Sequence, residues 1–295
     1  MSDAYLNCAA QHFGLWCVQG TWLTSALSAI QSGAWQPQPV AKRGESDDAP
    51  PPYTVVDGIA VVPMVGQITK GQSSYGGVSS VGTRQTLRAA ARDGDVRGIL
   101  LHIDSPGGTV AGTAELADEV RSLQSLKPIR AHGDDLMASA AYWVGSQAGY
   151  VTANATGEVG SIGTVATVED SSGMADKMGI KVHVVSTGVH KGAFAWGTEV
   201  TEEQLAELQA RVDDINEHFL SAVKRGRAMA IADVRAAADG RVFSSSKARD
   251  MGLIDDVMSM DDAVAAFRKE LDAKRADVSR RGRAAALRAR IAEIE

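Results

Sequence analysis

The sequence predicts an α/β fold with largely parallel strands, and three observations point there. Short apolar runs of strand length alternate with helical stretches from Tyr53 to about residue 262, the order that builds strand–helix–strand units. One run, R-G-I-L-L-H-I-D (97–104), is continuously apolar, as befits a strand covered on both faces. The composition is ordinary for a globular protein: 295 residues, 44% hydrophobic and 22% charged, enough for one large domain or two modest ones.

Along the chain, residues 1–35 form an N-terminal arm with apolar positions at mixed spacing, and Thr21 to Ile30 reads as a short amphipathic helix. Residues 36–52, Q-P-Q-P-V-A-K-R-G-E-S-D-D-A-P-P-P, are Pro-rich and charged, so they read as a linker that leaves the arm separate. T-V-V-D-G-I-A-V-V-P-M-V-G then gives two strands around a turn at Asp57 and Gly58. A helix is expected around 83–93, a strand at 97–104, a turn S-P-G-G-T at 105–109 and an amphipathic helix at 111–123.

The pattern repeats. P-I-R-A-H-G (128–133) reads as a strand, M-A-S-A-A-Y-W-V-G-S-Q-A (137–148) as a helix and Y-V-T-A-N (150–154) as a strand. Residues 159–168 read as a Gly-broken strand, 171–179 as a helix and 180–186 as another strand. Residues 201–228 read as a long helix capped by Thr201, with Glu203 in its first turn. The α/β body is bounded at 53–262, and 263–295 is expected to be a charged helical tail, either a solvated helix or a basic tail that docks a partner.

The formal net charge is −6 and the pI about 5.6, so a whole-chain basic footprint for nucleic acid is excluded. The two cysteines, Cys8 and Cys17, make neither a disulfide framework nor a metal site, and no cofactor is implied. A reducing, cytoplasmic setting is the expectation. The opening M-S-D-A-Y-L-N-C-A-A-Q lacks the basic and apolar regions of a signal peptide. No window reaches the roughly 18 apolar residues of a membrane helix, so the chain is expected to work in solution.

Ser139 stands among alanines in M-A-S-A-A-Y. By itself it suits helix packing as well as chemistry. A serine becomes a nucleophile only when a base takes its proton. Among the histidines, His132 precedes it at a strand end, His102 lies in an apolar run, and the first to follow is His183. A lysine serves as base when burial disfavours its charged form, and the sequence offers Lys191 between Gly, Val, His, Ala, Phe and Trp in S-T-G-V-H-K-G-A-F-A-W. S-P-G-G (105–108) follows a buried strand, and glycines there let backbone N–H groups face a cleft and stabilise an oxyanion. Ser161, in G-S-I-G-T (160–164), is placed to aim a lysine amine.

Taken in order, I-D-S-P-G-G, M-A-S-A-A-Y-W-V-G-S-Q-A, A-N-A-T-G-E-V-G-S-I-G-T, S-T-G-V-H-K-G-A-F and G-R-V-F-S-S-S-K-A-R-D-M-G-L-I-D-D-V resemble the signal peptide peptidase A family of serine peptidases over residues 55–262. The resemblance implies a ClpP/crotonase-like fold of repeated β-β-α units, with a Ser-Lys dyad: Ser139 as nucleophile, Lys191 as general base and Ser161 orienting the lysine. It implies Gly107, Gly108 and Ala140 as the oxyanion hole, and a homo-oligomer acting on protein or peptide substrates. Ala140 and Ala141 stand where many relatives carry glycine, and the family's membrane anchor is missing. An anchorless member resembles the tailed-phage and prophage branch, the head maturation proteases that degrade scaffold inside the immature shell and trim themselves. The alternatives are a host peptide-degrading protease of the same family and a non-catalytic capsid assembly protein of the same fold. A crotonase-type acyl-CoA enzyme would not need Ser139 and Lys191 together. A ClpP-like Ser-His-Asp protease would need a histidine in the stretch after Ser139.

Overall fold

A computed structural model describes residues 15–36, 52–188 and 190–292. Cys8 and nearly all of the expected linker lie outside these residues. The body is a mixed α/β structure built on an eight-stranded, largely parallel sheet. Its central strands are β3 (Ile59–Val65), β6 (Gly98–Ser105) and β8 (Ile129–Ala138), mutually parallel, with β2 (Thr54–Val56) antiparallel on the β3 edge. Beyond β8 lie β9 (Tyr150–Ala153), β10 (Glu158–Gly160), β11 (Val242–Ser244) and β12 (Asp256–Val257). The β2–β3 turn is made by Asp57 and Gly58 at φ 53° and 79°, the left-handed pair a tight hairpin requires.

β6 is covered on both faces, as its apolar run predicts. Ile99, Leu101 and Ile103 belong to the main core, under α2 (Ser80–Arg92), α3 (Thr113–Leu123) and α4 (Ala140–Gly145). Leu100 joins Ile59, Phe267 and Leu271 on the opposite face. The last two come from α9 (Met260–Ala292), so the charged C-terminal helix is partly a lid on the sheet. Gly98 is the contact point: a methyl there would stand 2.6 Å from the Phe267 ring. Arg97 on Asp272 at 2.6 Å and Arg268 on Asp57 at 2.8 Å fasten the same helix.

α1 (Gly20–Gln31), α5 (Ser172–Lys177), α6 (Glu202–Arg227), α7 (Ile231–Ala236) and α8 (Ser245–Asp250) complete the helices among the described residues. α6 starts with a reciprocal capping box between Thr201 and Gln204, which satisfies two of the otherwise unpartnered N–H groups. Its C-terminal half packs on α4, with Phe219 stacked on Trp143 at 4.7 Å, and Gln147 Nε2 donating to the Ala222 carbonyl.

Four expectations change. The segment 137–148 is not helical from its start: β8 continues through Met137 and Ala138, and α4 begins only at Ala140. The β6–β8 register jumps from Ile103–Gly133 to Ser105–Met137. Extra residues on β8 thus bulge out, which breaks the alternation a strand would show. Residues 180–186 pair with no strand, so their alternating apolar residues stay without the sheet edge that would define a strand. In 159–168 the ladder stops at Gly160, and Val165 makes an isolated bridge to Trp16. The arm itself is joined to the body. β1 (Trp16–Val18) adds to a second sheet of order β1-β7-β4-β5, with β4 (Ile68–Thr69), β5 (Val78–Ser79) and β7 (Gly107–Thr109).

Candidate active site

Ser139 links β8 to α4. Its backbone sits at φ 55°, ψ −120°, a conformation that an L-residue holds at a cost of about 1–3 kcal/mol. Two bonds enforce it: the Ser139 N–H donates to the Gly160 carbonyl at 2.7 Å, and the Trp143 N–H donates to the Ser139 carbonyl at 2.8 Å. A sharp, strained turn from strand to helix is the arrangement that pushes a serine hydroxyl out of the helix and toward a cleft. Here the residue is only 1% exposed, and its Oγ has no hydrogen-bond partner. A buried hydroxyl left idle costs about 1–3 kcal/mol, so the chain holds both a strained backbone and an unused polar group at one residue.

The Gly107–Gly108 strand lies against Ser139. A methyl placed on Gly107 would stand 2.9 Å from Ser139 Cβ, 2.9 Å from the Ala140 amide nitrogen and 2.3 Å from the Cys17 carbonyl oxygen. Gly107 is at φ 97°, so glycine is required both for the backbone and for the space. Its N–H is not a free donor, because it is held by Ser105 Oγ at 3.2 Å, and Ser105 in turn donates to the Gly66 carbonyl. Of the three expected oxyanion residues, Gly107 therefore provides room rather than a hydrogen bond. Gly108 offers its N–H along the outer edge of β7, where it faces Cys17. Ala140, in the first turn of α4, has an N–H with no intrahelical acceptor.

Ser161 is brought close. Gly160 pairs with Ala138, Ser161 is nearly buried at φ 49°, and its N–H donates to the Arg241 carbonyl at 2.7 Å. Lys191 is not brought to Ser139. It lies exposed on a turn, where the sequence pointed to a buried, neutral setting, and the unpartnered Ser139 Oγ shows that no bond joins them. The reason is visible in the surrounding segment, whose apolar side chains Met174, Met178, Val184, Val185 and Trp196 are all exposed among the described residues.

His132 is engaged elsewhere. It is fully buried with Nδ1 against Thr152 Oγ1 at 2.9 Å, and burial lowers its tendency to protonate. His102 is half-buried and rests on Asp134 at 3.3 Å. Three groups at the site escaped the sequence reading: the Ser105 hydroxyl, Thr164, and the arm residue Cys17, whose Sγ meets Thr164 Oγ1 at 3.5 Å. Burial pushes the Cys17 thiol up to about 12, so it stays neutral. The signal that could have found the arm strand is the run L-W-C-V (15–18), set between Gly14 and Gly20.

The chain is similar to a peptidase family and to several proteases. The model of "Peptidase family S49" matches residues 121–274, which include Ser139, Ser161 and Lys191. The chain is 29% identical to the capsid assembly protease C of Escherichia phage lambda, over 87% of this chain and 60% of that protein. It is also 29% identical to the head-tail preconnector protein GP5 of Enterobacteria phage P21, over 75% of this chain and 44% of that protein. A putative signal peptide peptidase SppA of Enterococcus faecium is 29% identical over 62% of this chain and 54% of its own length. The chain thus spans less than two thirds of each of these three relatives.

Proposed function

Since the chain belongs to peptidase family S49, we propose that it is a serine endopeptidase with Ser139 as nucleophile and Lys191 as general base, and that it matures a phage or prophage head by degrading scaffold protein. The observation that carries this reading is Ser139 itself: a strained turn, an idle buried hydroxyl, and the amides of Gly108 and Ala140 grouped around the space that Gly107 leaves open. Similarity to a capsid assembly protease and to a head-tail preconnector protein supports the capsid setting. The strand–strand–helix repeats, with a small second sheet beside the main one, support a ClpP/crotonase-like fold. On this reading residues 53–262 are the peptidase domain, with the arm and the C-terminal helix as additions. Among the described residues no helix is long and apolar enough to cross a membrane.

On this reading the Lys191 amine takes the Ser139 proton as Oγ attacks the scissile carbonyl carbon. Negative charge gathers on the carbonyl oxygen, and the Gly108 and Ala140 N–H groups hold it. The C–N bond breaks, the leaving amine takes the proton from Lys191, and water then hydrolyses the serine ester. Ser161 aims the lysine. For Lys191 to act, its segment must fold over the site. A second copy packing on Met174, Met178, Val184, Val185 and Trp196 would cover it and take the lysine out of water, so the working state is a homo-oligomer.

The test is cleavage of casein by wild type, Ser139→Ala, Lys191→Ala and Ser161→Ala, with assembly followed by sedimentation. Ser139→Ala and Lys191→Ala should each lose at least about 10²-fold in rate, and Ser161→Ala less. Undiminished cleavage by folded Ser139→Ala would refute the assignment.

A further inference from the structure

The arm does more than pack on the body: β1 lies in the cleft as an extended strand held along both edges. On one edge the Val110 N–H donates to the Leu15 carbonyl at 3.1 Å and the Gln19 N–H to the Pro106 carbonyl at 2.8 Å. On the other, Trp16 and Val165 exchange two bonds, at 2.9 and 2.8 Å. Antiparallel pairs alternate between bonded and non-bonded. With Leu15–Val110 and Gln19–Pro106 bonded, the bonded pair between them is Cys17–Gly108. The Gly108 N–H therefore donates to the Cys17 carbonyl oxygen. That oxygen also borders the space at Gly107, next to the Ala140 nitrogen and Ser139 Cβ.

One backbone carbonyl of the chain thus accepts from the Gly108 N–H and stands beside Gly107, which the Ala140 nitrogen and Ser139 Cβ also approach. The side chains fit the same register. Cys17 is fully buried, small and uncharged beside Thr164, while Trp16 and Val18 are buried with Leu23 in a separate small cluster.

We propose that the arm is the enzyme's own first substrate: Ser139 cuts the bond between Cys17 and Val18, and departure of residues 1–17 opens the cleft to other peptides. The proposal rests on Ser139 being the nucleophile. Ser139 Oγ bonds to the Cys17 carbonyl carbon, and its proton passes through the base to the Val18 nitrogen as the C–N bond breaks. Water then cleaves the Cys17 ester, leaving a Cys17 carboxylate, a Val18 ammonium and the restored serine. Until that cut the arm excludes other substrates, so the protease stays closed. The same register sets a preference for a small, neutral residue before the cleaved bond.

The experiment follows full-length protein by intact mass and N-terminal sequencing, with labelled casein as a substrate in trans. Wild type should acquire a new N-terminus at Val18, and casein cleavage should rise as it does. Ser139→Ala should keep residues 1–17 throughout. Cys17→Ala should still be cut at the same bond, whereas Cys17→Arg should lose that cut. Two results would overturn the proposal while sparing the proposed function: Ser139-dependent casein cleavage by a chain that retains its arm, or an undiminished cut before Val18 in Cys17→Arg. Wild type that cuts neither its arm nor casein would overturn both.

Discussion

Replacing Ser139 by alanine should stabilise the protein while silencing it. In the folded chain the hydroxyl is buried and has no partner, a burden of about 1–3 kcal/mol that the alanine chain escapes. Removing one oxygen leaves a void of roughly 10–15 Å³, which at about 24 cal/mol per Å³ returns about 0.3 kcal/mol. The strain at φ 55° is unchanged, because alanine keeps the same Cβ. The net gain is about 0.7–2.7 kcal/mol, and at about 2–4 °C for each kcal/mol in a large domain the melting temperature should rise by about 1–11 °C. The reference is Lys191→Ala, which is equally inactive and so keeps its arm, but alters an exposed side chain worth less than about 0.5 kcal/mol. Differential scanning fluorimetry of the two purified chains reads the difference. Ser139→Gly should match or exceed the alanine variant, since relief of about 1–2 kcal/mol of backbone strain outweighs the added freedom of the unfolded glycine chain, about 0.4–1 kcal/mol. An alanine variant melting at or below the Lys191→Ala reference would refute the reasoning: the hydroxyl would then be bonded in the folded protein and not held ready.

Two further outcomes are expected. Gly107→Ala should destabilise the fold by about 2–5 kcal/mol, combining left-handed strain of about 1–2 with about 1–3 for overpacking against Ser139 and Ala140, and its folded fraction should be inactive; near-wild-type casein cleavage would show that the space at Gly107 is not where a substrate carbonyl sits. Glu119, largely buried, accepts from Arg88 at 2.8 and 2.6 Å and from Arg84 at 3.3 Å, and those hydrogen bonds hold its carboxyl below its ordinary value of 4.5. Its contribution is therefore complete above about pH 4.5 and fades as pH falls through the lowered value; Glu119→Gln should cost about 1–2 kcal/mol at pH 7 in urea unfolding, and the gap to wild type should close on acidification. A gap that is the same at pH 7 and in acid would refute the linkage.

Local chemistry determined much of this protein, and the sequence shows it. The order of strands and helices, the double-sided burial of β6, the hairpin at Asp57 and Gly58 and the Thr201 cap all rest on periodicity or on residues a few places apart. Ser139 and the Gly107–Gly108 pair were legible for the same reason, since glycines after a buried strand and a serine among small residues carry local marks. What only the tertiary structure decided is everything that depends on pairing between distant segments. The bulge that carries β8 through Ala138 exists because β10 pairs with its last three residues. The charged tail helix became a cover because Phe267 meets Gly98. The turn bearing Lys191 stays exposed because the apolar side chains around it meet no surface among the described residues. The arm fills the cleft because Cys17 and Val18 find an open edge on β7; backbone N–H and carbonyl groups are the same at every residue, so no pattern in the sequence says which edge a strand will choose.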